Sequence, residues 1–296
     1  MTYWLVANPK AGDGERSQDF WLERLAAAGI HDPTCQDFDN FDNDDWSQNV
    51  EPGDVVMVAG GDGSVNRGAR LCLDRDATLA VLPSGTANDF TRNLDLPENP
   101  DDLCNVISDG PIQQVDVAEF DHQLFLNVAH VGLGTAPVCE SDDASKKRLG
   151  RFSYGVGLLR KLSEKRGFHA QIRCDKGFVS GRWLSIAIAN GAFFGGGNEI
   201  PEACANDGQL ELVAIRPRPV IQLLMTYLLL RLTRKSPKRT STLVHLKGAR
   251  CSVTTRKPKT VTADGDIATK TPLNVVCRPQ ALSVIGRSVV TTAASA

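Results

Sequence analysis

No run of 18 consecutive apolar residues occurs in the 296-residue chain, so no helical membrane span is expected. The opening stretch, MTYWLVANPK, has neither a basic n-region nor a small-residue cleavage site, so no signal peptide is expected either. Histidine is scarce, five in all and never in HExxH spacing, and lone histidines of this kind read as structural. The eight cysteines, at 35, 72, 104, 139, 174, 204, 251 and 277, form no CxxC pair, and neighbours stand 26 or more residues apart. That scatter predicts reduced core thiols in a cytosolic protein, and it excludes a zinc site or a disulfide framework. GxxxxGK[ST] is missing, which excludes a P-loop. GLGTAP at 132–137 lacks the third glycine of GxGxxG, so the dinucleotide fingerprint fails as well. No basic run is interleaved with aromatics, which argues against nucleic acid as a partner.

What is present is strongly polarised. Residues 1–145 hold 7 Lys and Arg against 27 Asp and Glu, while residues 146–296 hold 26 against 8, although the whole chain carries only −2. Such a split predicts two regions that face different partners. With 42% hydrophobic residues the chain can bury one large core or two ordinary ones.

The first half alternates strand and helix. YWLVAN (3–8), DVVMVAGG (54–61) and ATLAVLPSG (77–85) are apolar runs that end in small polar turns, and SQDFWLERLAAA (17–28) has helical spacing stopped by Gly29. Strand, glycine turn and helix in repetition predict a parallel α/β sheet. After about residue 112 the pattern changes. QVDVAEF and QLFLNVAHVG flank Asp121-His122 as a hairpin, and HAQIRC, RWLSIAIANG, QLELVAIR, TLVHLKG, RCSVTTR and LNVVCR follow as antiparallel strands. Two helices are expected at 146–165 and 220–235. The domain division is placed at 1–120 and 121–279, with the tail at about 280–296 returning to the first domain.

Three turns carry the chemistry: NPKAGDG (8–14), GGDGS (60–64) and PSGTANDF (83–90). Glycine lets a backbone approach a ligand, and N–H groups at a helix start cradle anions. In an open parallel sheet such turns meet outside the carboxyl ends of the strands, which predicts a phosphate-binding crevice. Asp62 among those glycines would repel phosphate unless Mg²⁺ lay between them, so the crevice suits a Mg-nucleotide.

NPKAG, GGDGSVN and LPSGTANDFTRNL together resemble the diacylglycerol kinase catalytic family, in particular its bacterial YegS-like lipid kinases. FLNVAHVGLG, NDGQLELV and ADGD stand where that family has its second-domain motifs. The resemblance implies a Rossmann-like nucleotide domain followed by an antiparallel β-sandwich, with the active site in the interdomain cleft. It implies transfer of the γ-phosphate of ATP to a lipid hydroxyl, in lipid and phospholipid metabolism. By motif, Asn8, Gly60, Gly61, Gly63, Ser64, Ser84, Gly85 and Thr86 would line the nucleotide site. Asp62, Asp89, Asp116 and Asp266 would form a water–Mg²⁺–carboxylate network, Asp264 would be the general base, and Asp207 would hold a second, structural Mg²⁺. The implied setting is cytoplasmic and peripheral at the inner membrane surface, with transient contact to anionic lipid through the basic runs KKRLGR, RKLSEKR and RLTRKSPKR. A homodimer stays open, as do a sphingoid or other acceptor and a catalytically silent nucleotide- or lipid-binding regulator.

Three positions depart from the family pattern. Ser64 replaces Thr, Asp266 replaces Glu, and Arg67 replaces a Glu. On this reading Ser64 caps the helix that follows. Arg67 in its first turn then either snorkels to an acidic neighbour or contacts nucleotide phosphate.

Overall fold

VVMVAG and TLAVLP bury every residue, which requires cover on both faces of the sheet they enter. The computed structural model describes residues 1–12, 14–38, 46–132, 167–175, 177–200, 203–219, 221–223, 225–226 and 241–286. The predicted helix at 146–165, most of that at 220–235, and the three basic runs lie outside these residues. By chain contacts there are two compact units. One comprises Met1–Val117, Phe193–Asn198 and Pro279–Ala296, and the other Ala118–Ala192 and Glu199–Arg278.

The first unit begins β1 (Tyr3–Ala7), α1 (Gln18–Ala27), β2 (Thr34–Asp37), β3 (Val55–Gly60), α2 (Asp62–Arg75) and β4 (Thr78–Pro83). It continues with α3 (Asp89–Asn93), α4 (Pro100–Asp109) and most of β5 (Ile112–Phe120). Strands β2, β1, β3 and β4 lie side by side in that order, all parallel. Ser17 caps α1, its Oγ accepting the Phe20 N–H at 3.3 Å, and the helix buries Trp21 and Leu25 as the spacing predicts. Asn99 caps α4 by accepting from the N–H groups of Asp101 and Asp102, with Pro100 in the first turn.

The second unit is a β-sandwich. Its strands are β6 (Gln123–Phe125), β7 (Val128–Gly132), β8 (Phe168–Cys174), β9 (Gly177–Trp183) and β10 (Ser185–Ala189). The short pair β11 (Phe193–Phe194) and β12 (Asn198–Glu199) follows, its 193–198 segment belonging to the first unit, and then come β13 (Leu210–Ile215), β14 (Leu243–Gly248), β15 (Arg250–Thr255), β16 (Thr260–Ala263), β17 (Asp266–Lys270) and β18 (Leu273–Ile285), whose residues from Pro279 on belong to the first unit. One antiparallel sheet runs β14-β13-β10-β7-β16-β17, and the other sets β18, β15, β8 and β9 side by side. Alternate residues of both sheets, among them Trp183, Ile186, Leu212, Val253, Val261 and Leu273, make one core. The end of β18 reaches the first unit, where Val284 pairs with Leu79 of β4.

Asp121 and His122 both take positive φ, 46° and 61°, as the two-residue turn of the β5–β6 hairpin requires. Two predicted strands are corrected. QLFLNVAHVG breaks at Leu126-Asn127, where a carboxylate claims the backbone N–H groups, and RWLSIAIANG breaks at Leu184, where the chain changes sheets. The expectation of reduced thiols throughout is corrected too. Cys174 and Cys251 are directly opposed on β8 and β15 with Cα atoms 4.3 Å apart, and they form a disulfide. A separation of 77 residues gave no spacing by which to see it.

Helix α2 seats on the sheet through Gly68, where an added Cβ would stand 2.4 Å from Val58 Cγ2 and 3.4 Å from Leu79 Cδ1. Val58 is fully buried and stiff at χ1, so it cannot turn aside. Gly68→Ala gains about 1 kcal/mol of helix propensity but overpacks at a cost of about 1–3 kcal/mol. Packing should win, and the variant's urea midpoint should fall. A raised midpoint would mean that α2 is not seated in this way.

Candidate active site

The three glycine turns come together at the carboxyl ends of β1, β3 and β4. A Cβ on Gly85 would lie 2.4 Å from Gly61 Cα, and one on Gly12 would lie 2.2 Å from the Ser84 carbonyl oxygen. The turns after β1 and β3 flank the point where strand order reverses, which is where open α/β sheets bind their ligands. Asn8 N–H donates to the Ala59 carbonyl at 2.8 Å and ties these two turns together.

The polar side chains of the turns build the cradle. Asn8 Nδ2 donates to Ser64 Oγ at 2.8 Å, and Asn8 Oδ1 accepts the Lys10 N–H. Ser84 Oγ accepts from Trp21 Nε1 at 3.0 Å and donates to the Leu82 carbonyl. Asn88, at φ 50°, brackets Gly85 with both ends of its amide. What the cradle presents is therefore backbone. Helix α2 starts at Asp62 with Gly61 as its N-cap, and no side chain caps it. The first N–H groups of a helix have no intrahelical partner, so an uncapped start among glycines is suited to an anion. Thr86 is exposed on the third turn.

This corrects the reading of Ser64 as the cap: it is the third helical residue, buried, and it faces Asn8. Arg67 consequently lies beyond the first turn, and its guanidinium stands 4.7 Å from the centroid of the Phe38 ring.

Each candidate carboxylate has a defined place. Asp62 Oδ1 accepts the Phe90 N–H at 3.1 Å, joining the start of α2 to that of α3. Asp116 is fully buried on β5 and accepts the Gln280 N–H at 2.8 Å. Asp89, 4% exposed, accepts from the N–H of Gly196 at 3.0 Å, the N–H of Gly197 at 2.8 Å and Arg92 Nη1 at 3.3 Å. In the second unit, Asp264 and Gly265 form the tight turn between β16 and β17, with φ 46° and 96°. The Asp264 carboxylate accepts three backbone N–H groups, from Leu126 at 2.7 Å, Asn127 at 2.9 Å and Val128 at 3.0 Å. Asp266 is exposed at the start of β17. Asp207 Oδ2 holds Lys247 Nζ at 2.7 Å, and the same ammonium reaches Glu211 Oε1 at 2.7 Å.

A resident Mg²⁺ at Asp207 does not fit this chemistry. Asp207 already has a cation in the Lys247 ammonium, and Asp89 accepts from two glycine N–H groups and a guanidinium. No cluster of three or more metal-ligating side chains is present among the described residues. No helix among them is long and apolar enough to cross a membrane.

Sequence reasoning passed over the partners of Asp89. Gly195, Gly196 and Gly197 take φ of 59°, 83° and 95°, so successive N–H groups turn toward one anion, and Phe193 N–H anchors to Asn93 Oδ1. The signal was the run FFGGGN, three glycines together in a region otherwise read as strands. Arg92 and Asn88 sit within the PSGTANDFTRN stretch itself.

A model of the diacylglycerol kinase catalytic domain matches residues 2–120, and a model of the YegS C-terminal NAD kinase beta sandwich-like domain matches residues 129–286. A Staphylococcus aureus protein named "Putative lipid kinase" is 28% identical over 236 residues, covering 78% of this chain and 77% of its own. An uncharacterized Synechocystis protein is 27% identical over 301 residues, covering 95% of this chain and 69% of its own. A solved Bacillus anthracis structure named "putative diacylglycerol kinase" superposes with a TM-score of 0.78 at 25% identity, covering 98% of both chains. The chain belongs to the diacylglycerol kinase catalytic-domain family in its two-part form with a YegS-type sandwich, and it is a kinase.

The Lys247 bridge has measurable consequences. Burial works against the ionised Glu211, but hydrogen bonds from His245 and Lys247 outweigh it and hold its carboxyl below the ordinary 4.5. A depressed carboxyl pKa contributes stability above the ordinary value, and that stability is lost as pH falls through the folded-state pKa. The melting temperature should therefore drop in acid below about pH 4.5. In Lys247→Met, which removes one of the lowering partners, the drop should begin at higher pH. Melting curves of the wild-type protein with and without a divalent chelator should superimpose. A chelator-induced fall in melting temperature would mean that a metal, not Lys247, supplies the positive charge.

Proposed function

We propose that this kinase uses ATP and transfers its γ-phosphate to the hydroxyl of a lipid of the diacylglycerol class. The observation that carries the reading is the meeting of three glycine turns at the start of α2, a helix with no side-chain cap. Its N–H groups and the neighbouring glycine backbone would take the phosphates, and Mg²⁺ would arrive with ATP as part of the substrate. Phosphoryl transfer needs positioning and charge neutralisation more than strong activation of the nucleophile. Asp264 takes the proton of the acceptor hydroxyl as the oxygen attacks the γ-phosphorus and ADP departs. Asp62, Asp89 and Asp116 act by holding α3, the 193–198 segment and β18 in place around the nucleotide turns. The names of the relatives support a lipid acceptor, and the charge asymmetry of the chain supports an anionic surface as the place where that acceptor is met.

One observation favours a second role for Asp264. Its three backbone donors make it the clamp of the β6–β7 link, so Asp264→Asn should turn an amide toward at least one N–H and cost about 1–3 kcal/mol of stability. If Asp264 is also the base, turnover measured well below the melting point should fall on the order of a hundredfold or more. A folded Asp264→Asn that phosphorylates lipid near the wild-type rate would leave it a clamp only. For the activity itself, the protein is incubated with Mg-ATP and a total lipid extract, and phosphate-bearing products are sought by mass spectrometry. A new phosphorylated lipid with equivalent ADP release is expected. ATP binding without any phosphorylated lipid would favour a silent regulator.

A further inference from the structure

The sheet formed by β18, β15, β8 and β9 has one face in the core and one in solvent, and the solvent face is chemically one-sided. Its outward positions, three on each strand, are 169, 171, 173, 178, 180, 182, 250, 252, 254, 274, 276 and 278. Four are arginine (Arg173, Arg182, Arg250 and Arg278), one is His169, and none is Asp or Glu. The rest are Asn, Gln, Ser, Thr and Val, apart from Phe178, which is 53% exposed. An ordinary solvated sheet face mixes its signs, because cross-strand pairs of opposite charge stabilise it. Here, among the described residues, only Arg278 meets a carboxylate, that of Glu119 on β5 at 3.4 Å. Arg182 Nε donates to His169 Nε2 at 2.9 Å, which needs that ring nitrogen unprotonated, and Arg173 lies 5.7 Å from the Phe178 ring. The arginines are thus spread over one sheet face with an aromatic side chain standing among them.

We infer that this face docks on anionic phospholipid headgroups. A second copy of the chain is the competing occupant, since residues 1–145 are strongly acidic. Area decides against it. Four strands about 4.8 Å apart, each with three outward residues about 7 Å apart, give a projected area of roughly 300–400 Å², no more than half of the roughly 800 Å² per partner that a stable protein interface uses. A bilayer needs no such area, because each basic side chain at an anionic leaflet acts additively and is worth about fivefold in partitioning. Guanidinium forks match phosphate oxygens in pairs, and Phe178 offers the amphipathic contact that favours the headgroup level. The choice of a bilayer rests on the lipid-kinase reading, and the test separates the two.

Full-length protein is sedimented with phosphatidylcholine vesicles and with vesicles of phosphatidylcholine carrying phosphatidylglycerol, at low and high salt. Binding is expected to the anionic vesicles only, and to weaken with salt. Arg173→Gln with Arg182→Gln should reduce partitioning about thirtyfold, with Phe178→Ser lowering it further, while the melting temperature stays unchanged. Phosphorylation of a detergent-dispersed diacylglycerol should also be unchanged in these variants. Equal vesicle binding by the double variant and the wild type would overturn the proposal. So would tighter retention on a DNA duplex than on anionic vesicles at the same salt. If the wild type phosphorylates no lipid yet the double variant still loses vesicle binding, the docking face stands and the lipid-kinase reading falls.

Discussion

The first unit depends on one steric constraint, the approach of two backbones at Gly61 and Gly85. No side chain fits there: a Cβ on Gly85 would stand inside van der Waals contact of the Gly61 Cα. That contact lets the turn after β4 close against the turn after β3 and brings the uncapped start of α2 beside the third turn. The remaining polar groups are arranged to keep it so. Asn88 holds Gly85 by both its N–H and its carbonyl, Ser84 is held by Trp21 from α1, and Asn8 binds Ser64 in the second turn of the set. Their hydrogen bonds serve the shape of the loop.

This explains what was legible in the sequence and what was not. The strands of the first unit were readable because burial on both faces demands continuous apolar runs, and the glycine turns because nothing else tolerates such close backbone approach. The side-chain roles within the turns were harder to read. Ser64 has the chemistry of an N-cap, and only the three-dimensional position of Gly61 shows that the helix has already begun. Arg67 was read as an electrostatic anomaly in a first turn, yet its guanidinium lies over Phe38, a residue 29 positions earlier in sequence and on a neighbouring segment. In the sandwich, alternation predicted strands but could not show where a chain leaves one sheet for the other. Trp183 and Leu184 are adjacent and both buried, and this doubled inward residue is what a change of sheet looks like from the sequence.

Carboxylates in this protein work largely as organisers of backbone. Asp54 accepts three donors near the start of β3, from the Thr2 and Glu51 N–H groups and Trp4 Nε1. Asp264 does the same for the β6–β7 link, and Asp89 for the glycine segment at 193–198. A carboxylate has about four lone-pair sites, so one residue can fix several N–H groups that no ladder satisfies. Part of the acidic excess of the first half is therefore internal. It closes loops.

The same economy bears on how charge is distributed in the sandwich. Glu211 is nearly inaccessible, and a buried carboxylate is tolerable only with partners. His245 and Lys247 on the adjacent strand β14 supply them, at alternate positions and so on the same face, while Lys247 reaches Asp207 in the turn before β13. A protein-borne ammonium thus joins the turn before β13 to the buried carboxylate. On the sandwich's other sheet, among the described residues, the solvent face keeps its arginines apart from carboxylates with the single exception of Arg278. In the sandwich, positive charge is thus placed against the buried carboxylate and, among the described residues, left largely uncompensated on this solvent face. Folding stability explains the first arrangement, because a buried carboxylate must be paired. It does not explain the second, since exposed opposite-sign neighbours would cost the fold nothing, and that arrangement suits a surface that meets an anionic partner.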